Sequence, residues 1–119
     1  MKRILLVEDE RPLALLYEEE LREEGYDVTV VNDSETALAK LKTEEFDLLV
    51  TDIRMPGRNG IDLITQVMGL RKTIPIIINS AYQSYKDDFM TWAADAYVVK
   101  SSSLNELKAK IKELLERKR

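Results

Sequence analysis

Apolar residues in this chain come in short unbroken runs, separated by stretches in which they recur at helical spacing. The first run, Ile4-Leu5-Leu6-Val7, does not alternate with polar residues, which predicts a strand buried on both faces. Pro12 then suits the first turn of a helix, where its missing N–H costs nothing. Leu13, Leu16, Tyr17 and Leu21 follow at helical spacing, and Gly25 offers a stop. A second strand is predicted at Asp27 to Val31. Asp33 or Ser34 caps the next helix, with Ala37, Leu38 and Leu41 on its inner face. The third strand is Leu48-Leu49-Val50-Thr51, ending at Asp52 before a loop with Pro56, Gly57 and Gly60. Ile61, Ile64, Val67 and Met68 form a helical stripe. Ile76-Ile77-Ile78 is the fourth strand, with a helix expected behind it from Ser84 to Ala93. Ala96 to Val99 is the fifth strand. A last helix runs from near Ser103 to the C-terminus, with Leu104, Leu107, Ile111, Leu114 and Leu115 facing inward.

Strands and helices that alternate with short links imply an α/β fold, with a parallel sheet covered by helices on both faces. Right-handed crossovers leave few topologies. The length of 119 residues is that of one domain, expected to span residues 1–119.

Composition removes several chemistries. Cys and His are both absent, so thiol catalysis, disulfides and histidine metal sites are excluded, as is a phosphohistidine. The net charge of −4 gives no support for direct nucleic-acid binding. No apolar run approaches the roughly 18 residues of a membrane span, and the N-terminus reaches acids too soon for a signal peptide. A cytoplasmic domain is therefore expected. Glu10 to Glu24 holds six acids and two bases, and Leu104 to Arg119 six bases and three acids, which reads as solvated helix faces.

Ligands of open parallel sheets bind at the carboxyl ends of the strands. Glu8 and Asp9 follow the first strand, Asp52 the third and Lys100 the fifth, while Asn79 and Ser80 end the fourth. An acid after a strand is often only a cap or a turn former. Three on one rim are harder to dismiss, since two carboxylates about 4 Å apart repel by roughly 4 kcal/mol at an effective dielectric near 20. Lys100 compensates in part. A divalent cation would supply the rest, and oxygen-only ligands point to Mg²⁺ or Mn²⁺.

Four motifs carry a resemblance across the whole chain: Leu6-Val7-Glu8-Asp9-Glu10, Asp52-Ile53-Arg54-Met55-Pro56-Gly57-Arg58-Asn59-Gly60, Ser80-Ala81 and Tyr97-Val98-Val99-Lys100. In their order and spacing the sequence resembles the receiver domain of two-component response regulators. The resemblance implies a flavodoxin-like (βα)5 fold, doubly wound, with strand order 2-1-3-4-5. It implies that Asp52 is the phosphoacceptor. Glu8, Asp9, Asp52 and the backbone carbonyl of Arg54 would hold Mg²⁺. Ser80 and Lys100 would contact the phosphoryl group, and Ser80 and Tyr97 would form a switch. Arg54 and Tyr82 match the positions that flank the attacking water, and their bulk predicts slow dephosphorylation.

Two departures stand out. Ser101 follows Lys100 where the family usually has proline with a cis bond. A cis bond to a non-proline residue costs about 3 kcal/mol, which argues for trans and leaves the aim of Lys100 open. Ser80 stands where Thr is common and keeps the hydroxyl. The expected partners are a sensor histidine kinase or phosphotransfer protein and a downstream protein target, with no nucleic acid or membrane. Kinase specificity in this family lies near Arg11 to Tyr17 and Ser101 to Ser103. Homodimerisation of the phosphorylated form stays open, as does a fragment against a stand-alone protein. The domain is expected to be no enzyme beyond its own phosphorylation and dephosphorylation. A receiver-like module without phosphorylation is the competing reading, and would need none of Glu8, Asp9, Asp52, Ser80 and Lys100. A phosphatase of the haloacid dehalogenase type would want an Asp at Arg54. A flavin-binding protein would want a hydroxyl- and glycine-rich loop where Glu8-Asp9-Glu10 stands. Trp92 reads as a packing anchor and Met55, Met68 and Met90 as gap fillers.

Overall fold

The computed structural model describes residues 1–52, 60–70, 74–81, 94–100 and 103–117, without the side chains of 60–63 and 68. Five strands appear, β1 (Arg3–Val7), β2 (Asp27–Val31), β3 (Leu48–Thr51), β4 (Ile76–Ser80) and β5 (Ala96–Val99). All pair in parallel, in the order β2-β1-β3-β4-β5. This is the flavodoxin-like doubly wound sheet, whose order reverses between β1 and β3. Helices α1 (Arg11–Glu23), α2 (Ser34–Thr43) and α3 (Gly60–Gly69) and a C-terminal helix (Asn105–Arg117) are described. The helix expected at Ser84 to Ala93, with Trp92 and Met90, lies outside the described residues, as does Met55; the side chains of Ile61 and Met68 do too.

Alternation along the strands divides the core. Ile4, Leu6, Val50, Ile77 and Val98 pack with α1 and the C-terminal helix, through Leu21, Leu107 and Ile111. Leu5, Val7, Leu49, Ile78 and Tyr97 pack with α2 and α3, through Leu41, Ile64 and Val67. Because both faces are covered, the central strands β1, β3 and β4 carry apolar runs with almost no solvent face, while the edge strand β2 is only partly buried.

The ends of the elements follow local chemistry. Pro12 lies in the first turn of α1. At the other end Gly25 takes φ +96°, its N–H donates to the Arg22 carbonyl at 3.0 Å, and the Tyr26 N–H donates to the Leu21 carbonyl at 3.3 Å. This pair of bonds is the Schellman arrangement, which glycine adopts without a Cβ penalty. Asp33 is the cap of α2, its Oδ1 accepting from the Thr36 N–H at 2.7 Å. The C-terminal helix begins at Asn105, later than expected, because the Ser103 hydroxyl accepts the Asn105 N–H from outside the helix at 3.2 Å.

Two expectations need correction. Leu16 does not face the core; it is 43% exposed beside Leu15, and Ala14 takes the inner face with Tyr17 and Leu21. The stripe had one more apolar position than the helix has inner face. Nor are the charged helix faces merely solvated, since Lys108 bridges from the C-terminal helix to Glu20 at 2.6 Å and Glu24 at 3.7 Å on α1. No helix among the described residues is long and apolar enough to cross a membrane.

Candidate functional site

Extending the strand registers by one residue sets Glu8 beside Asp52, and Asp52 beside Asn79, at the carboxyl edge of the sheet. The backbone supports that extension: the Glu8 N–H donates to the Val31 carbonyl at 3.0 Å and the Asp52 N–H to the Val7 carbonyl at 3.3 Å. Asn32 donates through Nδ2 to the Glu8 carbonyl at 3.0 Å, pinning the turn after β1. Glu8 and Asp52 are buried and Asp9 is half-buried. Carboxylate oxygens of all three lie within 4.8 Å of one another.

Lys100 binds this cluster. Its Nζ lies 2.7 Å from Asp52 Oδ2 and 2.9 Å from Glu8 Oε1. The Lys100 N–H donates to the Ser80 carbonyl at 2.7 Å, which carries the β4–β5 ladder up to the lysine. Since β4 lies between β3 and β5, the lysine stem crosses the end of β4 to reach Asp52. Burial opposes the ammonium charge, but hydrogen bonds and attraction to Asp52 and Glu8 prevail and hold Lys100 well above the usual ammonium range. Burial pushes the Glu8 carboxyl above its ordinary range, with Lys100 and the Glu10 N–H opposing it. Three carboxylates against one ammonium leave the cluster with excess negative charge. All its side-chain acceptors are oxygens, a donor set that fits a hard divalent cation.

The other expected residues sort by face. Ser80 and Tyr97 are buried, and Tyr97 packs in the cluster beneath α2 and α3. Ser80 pairs with Val99, two residues after Tyr97, so Ser80 and Tyr97 are diagonal neighbours on that face. The structure thus brings Glu8, Asp9, Asp52 and Lys100 into one cluster, with Ser80 and Tyr97 on the other side of the same sheet edge. Arg54, Tyr82 and the Lys100–Ser101 bond lie outside the described residues. Sequence reasoning noted Asn79 at the rim but gave it no part, and placed Tyr17 in the apolar stripe of the first helix and at the end of the segment tied to kinase specificity. Burial pushes the Tyr17 hydroxyl up, and the neighbouring Asn79 amide pulls it back. Only the period-two alternation of β4, applied to Asn79, could have indicated its side of the sheet.

Comparison with known proteins agrees with this geometry. The family model of the response regulator receiver domain matches residues 4–112. Response regulator ArlR of Staphylococcus saprophyticus is 37% identical across 98% of this chain and 54% of its own length. The alkaline phosphatase synthesis transcriptional regulatory protein PhoP of Bacillus subtilis is 35% identical across 98% of this chain and 49% of its own. The chain thus spans about half the length of the curated relatives it matches. Among solved structures, response regulator TrrA of Thermotoga maritima in complex with Mg²⁺-BeF is 44% identical, with TM-score 0.90, covering 96% of this chain and 99% of that one. A complex of histidine kinase ThkA with TrrA matches at 44% identity and TM-score 0.89, over 97% and 99% of the two chains.

Proposed function

The chain belongs to the response-regulator receiver family, and from that premise we propose that it is a phosphorylation-controlled switch with Asp52 as the phosphoacceptor. The observation that carries this reading is the Lys100 ammonium on Asp52 Oδ2 and Glu8 Oε1, two of three clustered carboxylates. An Asp52 oxygen attacks phosphorus of a phosphohistidine on a sensor kinase or phosphotransfer protein. The phosphorus–nitrogen bond breaks, its electron pair leaves with the imidazole, and the imidazole takes a proton. The carboxylate is a weak nucleophile, so the rate depends on in-line placement and on charge neutralisation. Lys100 moves from Asp52 to a phosphoryl oxygen, and the Ser80 hydroxyl donates to another.

Glu8, Asp9, Asp52 and the Arg54 carbonyl would hold Mg²⁺, which when bound supplies positive charge at the phosphoryl oxygens. The carboxylate cluster and the Mg²⁺-BeF complex of TrrA support this ion; neither gives support to Mn²⁺. The acyl phosphate draws Ser80 inward, and Tyr97, its diagonal neighbour, repacks and alters the surface. Arg54 and Tyr82 would shield the phosphoryl group from water.

Beyond this self-directed chemistry we assign the domain no enzymatic activity, and we place its work in the cytoplasm with a protein as its output target. Exposed Leu16, beside Pro12 and Leu13 in the first turns of α1, offers the kinase an apolar contact at the helix end that follows Glu8 and Asp9. The ThkA–TrrA complex supports a kinase partner.

The test is intact mass after incubation with Mg²⁺ and acetyl phosphate, for the native protein and Asp52→Ala. The native protein alone gains one phosphoryl group. Failure of the native protein to gain it, from acetyl phosphate and from a cognate kinase, would favour a receiver-like module that works without phosphate.

A further inference from the structure

Asn79 is a buried polar side chain that the chemistry above does not use. It is 3% exposed, and its Nδ2 makes no hydrogen bond among the described residues. A buried amide donor without a partner destabilises a fold, and such groups are rare in native proteins. A strand position flanked by Ile76-Ile77-Ile78 would accept an apolar side chain with less cost.

Its placement suggests why the amide is there. Asn79 is two residues after Ile77 and so shares the face of Ile77 and Val50, as Asp52 does. The register makes Asp52 and Asn79 cross-strand neighbours, about one strand spacing of 4.8 Å apart. The stem of Lys100 crosses this end of β4 with its ammonium already on Asp52 Oδ2. Tyr17, buried on α1, is near enough for this amide to lower its hydroxyl pKa, but it does not stand in hydrogen-bond geometry with Nδ2. Asn79 therefore neighbours the phosphoacceptor in the strand register, closed off from water, while the lysine holds Asp52 Oδ2.

We propose that Asn79 is a positioning residue for Asp52, whose Nδ2 donates to Oδ2 when Lys100 leaves that oxygen for the phosphoryl group. This rests on Asp52 being the phosphoacceptor. Oδ2 stays paired throughout the transfer, and the carboxylate plane keeps Oδ1 directed at phosphorus. A carboxylate oxygen has lone pairs for both an amide and a cation, so the role is compatible with a metal on Asp52.

The experiment measures the rate of phosphorylation by acetyl phosphate and the urea midpoint for Asn79→Leu and Asn79→Thr. Leu matches the shape of Asn without the donor, while Thr keeps a hydroxyl donor on a strand-favouring side chain. Asn79→Leu should phosphorylate about tenfold more slowly, the scale of one hydrogen bond to a charged group, with a urea midpoint at or above the native one. Asn79→Thr should recover most of the rate. A rate for Asn79→Leu within about twofold of native, or equal slowing by Leu and Thr, overturns the proposal. A second readout does not depend on phosphorylation. In Lys100→Met the Asn79 side-chain amide protons should move downfield in NMR spectra as they take Asp52 Oδ2, and unmoved resonances overturn the proposal. If the native protein takes no phosphate while those protons do shift, the phosphoacceptor reading fails and the pairing of Asn79 with Asp52 stands.

Discussion

Lys100→Met tests the electrostatics of the site most directly, because it keeps the side-chain volume and removes one charge. The Lys100, Glu8 and Asp52 side chains are 14%, 2% and 10% exposed, so solvent screens them little. At contacts of 2.7 and 2.9 Å, each attraction is worth about 6 kcal/mol at an effective dielectric near 20, before the cost of desolvating the ammonium. Removing one partner of a buried pair leaves a measured loss of about 3–5 kcal/mol. In chelator at neutral pH, urea unfolding followed by circular dichroism should show that loss. With a slope of about 1–3 kcal/mol per molar, the midpoint falls by about 1–5 M.

The pH dependence has a definite sign. Glu8 titrates above its ordinary 4.5 in the folded protein, so its contribution to stability is full below that value and is lost as pH rises through the folded pKa. Removing Lys100 withdraws the interactions that lower the Glu8 pKa, so the lost stability should be partly recovered as pH is lowered from neutral towards 4.5. Lys100 itself is raised, so its contribution is full below 10.5 and constant across that window. Mg²⁺ should stabilise Lys100→Met more than the native protein, because the cation meets no ammonium among the carboxylates. A loss below about 1 kcal/mol, or one indifferent to both acid and Mg²⁺, would falsify the assignment of Lys100 as the counter-charge of the cluster.

Gly25→Ala should cost about 1–2 kcal/mol in urea unfolding; φ is +96° and no atom lies within 4 Å of an added Cβ, so the loss is conformational. Asp33→Ala should cost about 1 kcal/mol by the same measurement, since it removes the acceptor for the Thr36 N–H. The Asp33 carboxyl is held below its ordinary range mainly by that bond, so the native advantage is present above pH 3.8 and fades as acid takes the pH through the folded pKa. The double variant Arg54→Ala, Tyr82→Ala should lose its phosphoryl group faster than the native protein in a time course of intact mass; an equal rate removes the shielding role.

Most of the fold was legible because the evidence for it is local. Unbroken runs such as Ile4–Val7 and Ile76–Ile78 marked strands covered on both faces, and the signals at Pro12, Gly25 and Asp33 set helix ends within a residue or two. The acids and the lysine of the site were legible for the same reason, since each stands directly after a strand that points it at one rim. Periodicity overreached at Leu16, because spacing gives a helical stripe but not the width of the surface that receives it.

What the sequence could not decide are distances between residues far apart in the chain. That Lys100 would sit on both Asp52 and Glu8, or Lys108 on Glu20, depends on the strand order and on where the C-terminal helix crosses α1. The separation of Asn79 from Ser80 onto opposite faces follows from one step along β4, but its consequence needs the neighbours. Only the assembled sheet shows that Asn79 lies beside Asp52 with its amide donor unpaired among the described residues, because burial and hydrogen-bond satisfaction are properties of the packed whole and not of any segment.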